Sequence, residues 1–357
     1  MAELRGAASV ANVYGRDLVA AELFTSALAP WAHSPRMLQP VADLAFALGV
    51  NRPMIHTSVH QPFAERAPGL SLSIFGQYFT RHETWSELAG PWMDYLARSA
   101  WLLQQGRAVA DIAYFYGEEA PLTSLFAVSA ATSLPAGYGF DFVNADMLLN
   151  DFSVDGGALR APSGASYKIL FLGGSSRRMT VPVLRKLERF IAGGVTVVGD
   201  RPLDSPSLAD DAGEFGQPRG DSCGGSAAKE PLRGRTPARP PRVWPTSRLR
   251  GATVAHARDS DAGVRARRRQ ARAAICCSSA AGRATPTCYC CRATAPAVRD
   301  IEAVFRVDGM QPELWDARTG DVEPVSWRGL DGRTVVDLRL EPLRVGLRRS
   351  RSQPHRR

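Results

Sequence analysis

Three short runs hold side chains whose types and spacing suit acid–base chemistry on a polyhydroxylated substrate. Glu22 stands in Val19-Ala-Ala-Glu-Leu-Phe-Thr25, where a compact apolar run meets a carboxylate. Barrel enzymes place catalytic groups just past the C-terminal ends of buried parallel strands. Glu22 therefore reads as a general base or metal ligand, with a plain surface carboxylate as the other reading. His56 and His60 lie four residues apart around Thr57-Ser58-Val59. On a strand such positions share a face, so both imidazoles would enter one cleft as ligands for substrate hydroxyls or a metal. The competing reading is a polar loop with one core histidine. Arg81-His-Glu-Thr-Trp85 puts a base, an acid and an aromatic within five residues. A sugar site needs that mix, with Glu83 for acid–base work, Arg81 for polar contacts and Trp85 for the apolar side of a ring. The same run also reads as a helix start, with Thr80 as N-cap and Glu83 as its capping-box partner.

Other candidates are weaker. Glu118-Glu119 falls in a loop after an expected strand. Gly173-Gly174-Ser175 occupies a strand-to-helix elbow, where an amidotransferase-like domain needs a cysteine nucleophile. No cysteine precedes Cys223. Cys276-Cys277 and Cys288-Tyr-Cys-Cys291 lack the ligand spacing of a zinc finger. Arg265-Ala-Arg-Arg-Arg269 lacks the interleaved aromatics of a nucleic-acid surface.

The elements that must position these residues follow a strand–helix rhythm. A helix over 3–14 ends at Gly15, and Leu18-Val-Ala-Ala21 suits a buried strand. A helix over 40–48 closes at Gly49, and 54–60 reads as a second strand. A long helix is expected over 84–105, with Trp85, Leu88, Trp92, Tyr95, Leu96, Leu102 and Leu103 on its apolar face. Strands at 109–116, 140–143, 167–172 and 195–198 and a helix at 182–192 then give an open, flavodoxin-like sheet. Short strands at 303–307, 313–315 and 334–340 have the look of a β-sandwich remnant.

Composition changes sharply near Gly213. All six cysteines and the densest arginine run follow it. Residues 1–215 hold 16 basic against 21 acidic side chains, and 299–343 hold 6 against 10. Residues 216–298 hold 16 against 4, and the tail from Arg344 holds 6 against none. The formal net charge of +9 thus sits in two poorly patterned segments, which argues against nucleic acid as a partner of the ordered parts. No apolar run is long enough to span a bilayer, and the start lacks the pattern of a signal peptide. The chain as written is expected to be cytoplasmic, without a membrane partner. Oligomeric state is not legible in it.

The longer motifs resemble a known family. Val19–Thr25, Gly49-Val-Asn-Arg-Pro-Met-Ile-His-Thr-Ser-Val-His-Gln-Pro62, Thr80–Trp85 and the run from Tyr95 to Gly117 are similar to the barrel portion of glycoside hydrolase family 106, the α-L-rhamnosidases. The likeness covers roughly residues 3–212 and resumes more weakly from Val298 to about Leu343. The resemblance implies a calcium-dependent, inverting glycosidase acting on rhamnose-containing glycans or glycosides. It implies periplasmic or secreted relatives. The implied fold class is α/β: the C-terminal part of a (β/α)8 barrel over 1–106, then an amidotransferase-like open domain over 107–212. A disordered Arg/Ala/Pro-rich segment over 213–293, a sandwich remnant over 294–343 and a basic tail over 344–357 would follow. Glu22 carries over as catalytic base or calcium ligand. No counterpart of the family's Ser-Tyr-Glu-type segment, whose glutamate resembles the general acid, stands here. The expectation is an N-terminally truncated chain, read out of frame across 213–293. A non-catalytic carbohydrate-binding remnant and a nucleic-acid-binding protein are the alternatives.

Overall fold

The computed structural model describes residues 2–119, 134, 138–210, 264–266, 273–278, 288–293, 299–307, 310–340 and 345–352. The chain opens with α1 (Ala2–Tyr14), β1 (Ala20–Leu23), α2 (Pro35–Ala47), β2 (Arg52–Ile55) and α3 (Gly90–Leu103). β1 and β2 pair in parallel, with Glu22 opposite Met54 and Leu23 opposite Ile55. Ser34, in extended conformation, precedes Pro35 at the first helical positions of α2. A proline is tolerated there because the first turn's N–H groups have no helical acceptor. The expected start at Pro40 is thus one turn late, and Pro40 lies inside the helix. The expected single helix over 84–105 is divided at Ala89-Gly90-Pro91. A short 3-10 turn over Ser86–Leu88 precedes the break. Pro91 stands in the first turn of α3, where its missing N–H has no helical acceptor to satisfy, so the helix begins there. Trp92, Tyr95, Leu96, Ser99 and Leu102 bury one face of α3, at the spacing of helical turns. They meet Leu38 and Phe46 of α2 and Val19, Leu23 and Phe24 of the β1 region in one core. The Tyr95 hydroxyl donates to buried Asp43 and ties α3 to α2.

The second unit holds β3 (Ile112–Phe115), β4 (Phe140–Val143), β5 (Ser153–Asp155), β6 (Ala158–Arg160), β7 (Ser166–Tyr167), β8 (Ile169–Leu172), α4 (Val181–Ala192) and β9 (Thr196–Gly199). Strands β3, β4, β8 and β9 are parallel, in the order β4-β3-β8-β9. All four residues of β3 are buried, as a central parallel strand covered on both faces requires. Strands β5, β6 and β7 make a small antiparallel sheet. Helix α1 packs on this unit. Asn12 Nδ2 donates to Asp141 Oδ1 at 2.8 Å, Tyr167 Oη donates to Asp141 Oδ2 at 3.0 Å, and Ser9 Oγ accepts from the Phe142 N–H at 2.9 Å.

The remaining strands are β10 (Val264–Ala266), β11 (Ala273–Ser278), β12 (Cys288–Ala293), β13 (Arg299–Phe305), β14 (Met310–Trp315), β15 (Val322–Pro324), β16 (Arg328–Leu330), β17 (Arg333–Leu340) and β18 (Val345–Ser352). They form two antiparallel sheets, β10-β13-β17-β16 and β11-β12-β18-β14-β15. Strands β10, β11 and β12 fall within 213–293, the range expected from composition to be disordered, and β18 falls within the expected basic tail. The rest of 213–293 lies outside the described residues. So do the side chains of Cys276, Cys277, Cys288, Cys290, Cys291 and Arg265. Contacts from α3 join these sheets to the front of the chain. Trp101 of α3 stacks on Trp315 with ring centroids 6.3 Å apart. Arg98 Nη1 donates to the carbonyls of Ala317 and Arg318 at 3.2 and 3.0 Å. Arg306 reaches Asp111 at 3.0 Å and links them to the second unit.

Candidate functional site

Alternation along β1 sets the site's orientation. Val19 and Leu23 lie in the core with α2 and α3, and Ala21 packs against it. Ala20 and Glu22 therefore point the other way, and both are exposed. The register puts Arg52 and Met54 beside them, and both are likewise exposed. Glu22 thus lies inside the strand, one residue from its C-terminal end, on a sheet face that no described residue covers. Its Oε1 accepts from the Thr25 hydroxyl.

Three loops meet at the C-terminal edge of this strand pair. The His56 N–H donates to the Leu23 carbonyl at 3.0 Å, so His56 leaves β2 directly beside the end of β1. Residues 76–79 then run between the loop after β1 and the loop after β2. Gly76 N–H donates to Ser26 O at 2.7 Å and Tyr78 N–H to Pro30 O at 2.8 Å. Thr57 N–H donates to Gln77 O at 2.7 Å, and Phe79 N–H to Thr57 O at 3.0 Å. Gly76 has a φ of +117°, and a Cβ there would sit 2.7 Å from Thr57 Cγ2 and 3.2 Å from His56 Nδ1. Only glycine lets the chain pass so close to that imidazole. His56 Nδ1 is buried and has no hydrogen-bond partner among the described residues.

The strand expected over 54–60 ends at Ile55, so the one-face argument for His56 and His60 does not apply. His60 is exposed, and its backbone pairs with Leu70 across the base of a loop. Arg81 is exposed too, and its carbonyl accepts from Ser86 Oγ at 3.2 Å. The capping box at Thr80 is absent, because α3 starts ten residues later. Thr80 Oγ1 accepts from the His82 N–H at 3.2 Å instead. Glu83 is only 6% exposed. Its Oε1 accepts from Gln77 Nε2 at 2.7 Å. Burial pushes the Glu83 carboxyl above the usual carboxylate range, and the Gln77 amide and the Thr84 backbone partly pull it back. Trp85 packs edge-on to Phe79 at 5.5 Å, and Phe79 leads through Phe24 to Trp92 and Tyr95 in one connected run of rings.

Gln77 and His33 escaped the sequence reading. Gln77 is fully buried and joins both loops, with its Oε1 3.1 Å from the His33 N–H and 3.1 Å from His33 Nδ1. The available signal was an amide inside the apolar run Ile74-Phe-Gly-Gln-Tyr-Phe79. His33 carries no pattern that marks it.

The second unit's candidates are occupied by packing. Glu118 accepts from the Thr180 N–H at 2.7 Å and its hydroxyl at 2.9 Å, closing the start of α4. Ser175 Oγ lies 3.3 Å from the Tyr116 carbonyl, and Gly117 packs against Ser175 so closely that a Cβ would fall 2.1 Å from that hydroxyl.

Residues 1–329 match the family model described as alpha-L-rhamnosidase, glycoside hydrolase family 106. The chain is similar to the solved structure of the rhamnosidase from Novosphingobium sp. PP1Y, with a TM-score of 0.83 and 40% identity. The match covers 99% of this chain and 33% of that one. A protein of Formosa agariphila named "Putative beta-glucuronidase" is 31% identical over 343 residues, 93% of this chain and 27% of that protein. The α-L-fucosidase isoenzyme 2 of Paenibacillus thiaminolyticus shares the fold at a TM-score of 0.51 and 14% identity, over 90% of this chain and 58% of that one. The chain therefore spans a third or less of the first two relatives' lengths. Matched along 329 of its 357 residues, it belongs to glycoside hydrolase family 106, the α-L-rhamnosidase family.

Proposed function

We propose that this chain carries one wall of an α-L-rhamnosidase site, with β1 and β2 as adjacent strands of a (β/α)8 barrel. Glu22 is its catalytic carboxylate. The observation that carries this reading is the exposed, inward-type position of Glu22 next to the C-terminal end of a parallel strand whose opposite face is packed by helices. The 40% identity to a rhamnosidase favours a rhamnoside over the glucuronide in the name of the 31% relative.

In an inverting reaction one carboxyl protonates the leaving oxygen and another takes a proton from the attacking water, about 6.5–9.5 Å away. Glu22 suits the second task, because its carboxylate is exposed and open to water. The Thr25 hydroxyl donates to Oε1 and leaves Oε2 for the water proton. His56, at the exit of β2, is the neighbouring group for substrate hydroxyls. Glu83 is buried and engaged by Gln77, so we assign it to holding the loop rather than to meeting the substrate. We propose that the general acid comes from elsewhere in the enzyme, since this chain covers a third of its rhamnosidase relative.

Calcium takes six to eight oxygen ligands. Among the described residues no three His, Cys, Asp or Glu side chains converge, and the hydrogen-bond partner of the Glu22 carboxylate is the Thr25 hydroxyl. This donor set does not fit a calcium ion. The base role is therefore the one we propose for Glu22, and no step here runs through the metal.

The test joins this chain to the front portion of the Novosphingobium rhamnosidase and assays p-nitrophenyl rhamnoside, whose leaving group needs least protonation. Turnover should appear and fall by about 10²–10⁴ in Glu22→Gln. Equal rates with and without that substitution would remove Glu22 from the chemistry. Rhamnose binding with no turnover in the joined protein would favour a carbohydrate-binding remnant.

A further inference from the structure

We propose that His33 is a further sugar-binding residue of this site, fixed by Gln77 in the Nδ1–H tautomer so that Nε2 accepts a hydroxyl of the bound sugar. The inference rests on the rhamnosidase reading for its ligand, and on geometry alone for the tautomer.

The argument begins with the Gln77 amide, whose orientation its surroundings dictate. On one side lie two acceptors, Glu83 Oε1 at 2.7 Å and the Tyr78 carbonyl at 3.2 Å, so that side must be the NH₂. On the other side lies the backbone N–H of His33 at 3.1 Å, which can only donate, so that side must be the carbonyl oxygen. The same oxygen lies 3.1 Å from His33 Nδ1. An amide oxygen has no proton to offer. The contact is favourable only if Nδ1 carries the hydrogen, because two facing lone pairs would repel. In the neutral ring Nε2 is then left with a bare lone pair, and which nitrogen is protonated follows from the bond the other makes.

Nε2 is not among the buried polar atoms and bonds to no described residue. It lies on the loop that Gln77 ties to the exit of β2, through Gln77 N–H to His56 O at 3.2 Å. Two residues earlier stands Trp31, 43% exposed and edge-on to Tyr78 at 4.8 Å. An exposed indole two residues along the same loop from a free acceptor provides an apolar face and a hydrogen-bonding atom, the pairing a sugar ring needs. The buried, fully bonded Gln77 explains why an imidazole on a loop keeps one orientation.

The test is nitrogen NMR on the full chain with ¹⁵N-labelled histidine, the His33 signals assigned by their loss in His33→Phe. The neutral His33 ring should show a protonated Nδ1 and a bare Nε2. In Gln77→Met it should shift toward the Nε2–H form that free histidine prefers. Added L-rhamnose should move the His33 Nε2 resonance, and His33→Phe should weaken rhamnose binding about fivefold, the worth of one ordinary hydrogen bond. A protonated Nε2 in the neutral wild-type ring overturns the proposal with no variant needed. Rhamnose shifts at His56 without any at His33 overturn it while leaving the proposed function standing. If rhamnose moves neither resonance, both in this chain and in the protein joined to the Novosphingobium front portion, the proposed function fails, and with it the ligand assigned to His33.

Discussion

Gln77→Leu is the substitution whose cost can be worked most directly from the structure. Leucine has nearly the volume of glutamine, so the cavity contribution is small. What is lost is hydrogen bonding at a fully buried position. The Glu83 carboxyl loses its 2.7 Å donor, the His33 N–H loses its 3.1 Å acceptor, and the Tyr78 carbonyl loses a weaker 3.2 Å contact. A buried polar group left without its partner costs about 1–3 kcal/mol. Glu83 and His33 together therefore place the loss at about 2–6 kcal/mol. The pH dependence has a definite sign. Burial raises the folded-state pKa of Glu83, and the Gln77 bond opposes that rise by favouring the charged form. A raised carboxyl pKa gives stability that is complete below the unfolded pKa and fades as pH climbs through the folded one. Removing Gln77 raises the folded pKa further, so the deficit of Gln77→Leu should grow from acid toward neutral pH. Urea titrations at about pH 4 and about pH 7 would measure both quantities. The double variant Gln77→Leu/Glu83→Leu should be more stable than the sum of the singles by about 1–3 kcal/mol, since it removes the stranded carboxyl as well. A deficit under about 0.5 kcal/mol, equal at both pH values and additive in the double variant, would refute the reasoning.

Glu83→Gln keeps the acceptor for Gln77 without the charge, so it should stabilise the fold at neutral pH. That gain should vanish below the unfolded carboxylate pKa, as pH-dependent urea titration would show. Gly173→Ala places a Cβ 2.1 Å from Tyr114 Oη inside a fully buried ring's space, and the overpacking should cost about 1–3 kcal/mol in thermal or urea unfolding. Trp315→Ala removes the stack on Trp101, so amide exchange should quicken in β14 and β15 while β3 and β8 keep their protection. For residues 213–293, an alternative reading frame of the coding DNA should give a sequence with strand–helix patterning. If neither other frame does so, the frame-disturbance reading is wrong.

Legibility in the sequence followed how local each signal was. The strand at 140–143 stands where it was expected, and the helix at 182–192 lies within one residue, because each carries its own period and punctuation. The division of 84–105 was written in Gly90-Pro91, but a continuous apolar stripe through Trp85 and Trp92 masked it. Those two rings do share one core, through Phe79 and Phe24 rather than along one helix. The strands at 264–266, 273–278 and 288–293 illustrate the opposite limit. Their sequences carry no sustained apolar–polar alternation; 264–266 and 288–293 pair through backbone ladders with strands at 299–305 and 345–352, and 273–278 pairs with 288–293. The site divides in the same way. The placement of Glu22 near a strand end was legible because a carboxylate at the end of a short apolar run is a local pattern. Glu83 was legible as a residue but not as a buried one, since its partner Gln77 comes from a neighbouring stretch that carries no acid–base signal. The Gln77–His33 contact spans 44 positions and is made by two loops that meet only because β1 and β2 pair in parallel. A sequence reading can name a titratable side chain, but the group that orients it is usually supplied by chain closure. At this edge that group is an amide, which no scan for acids and bases would collect.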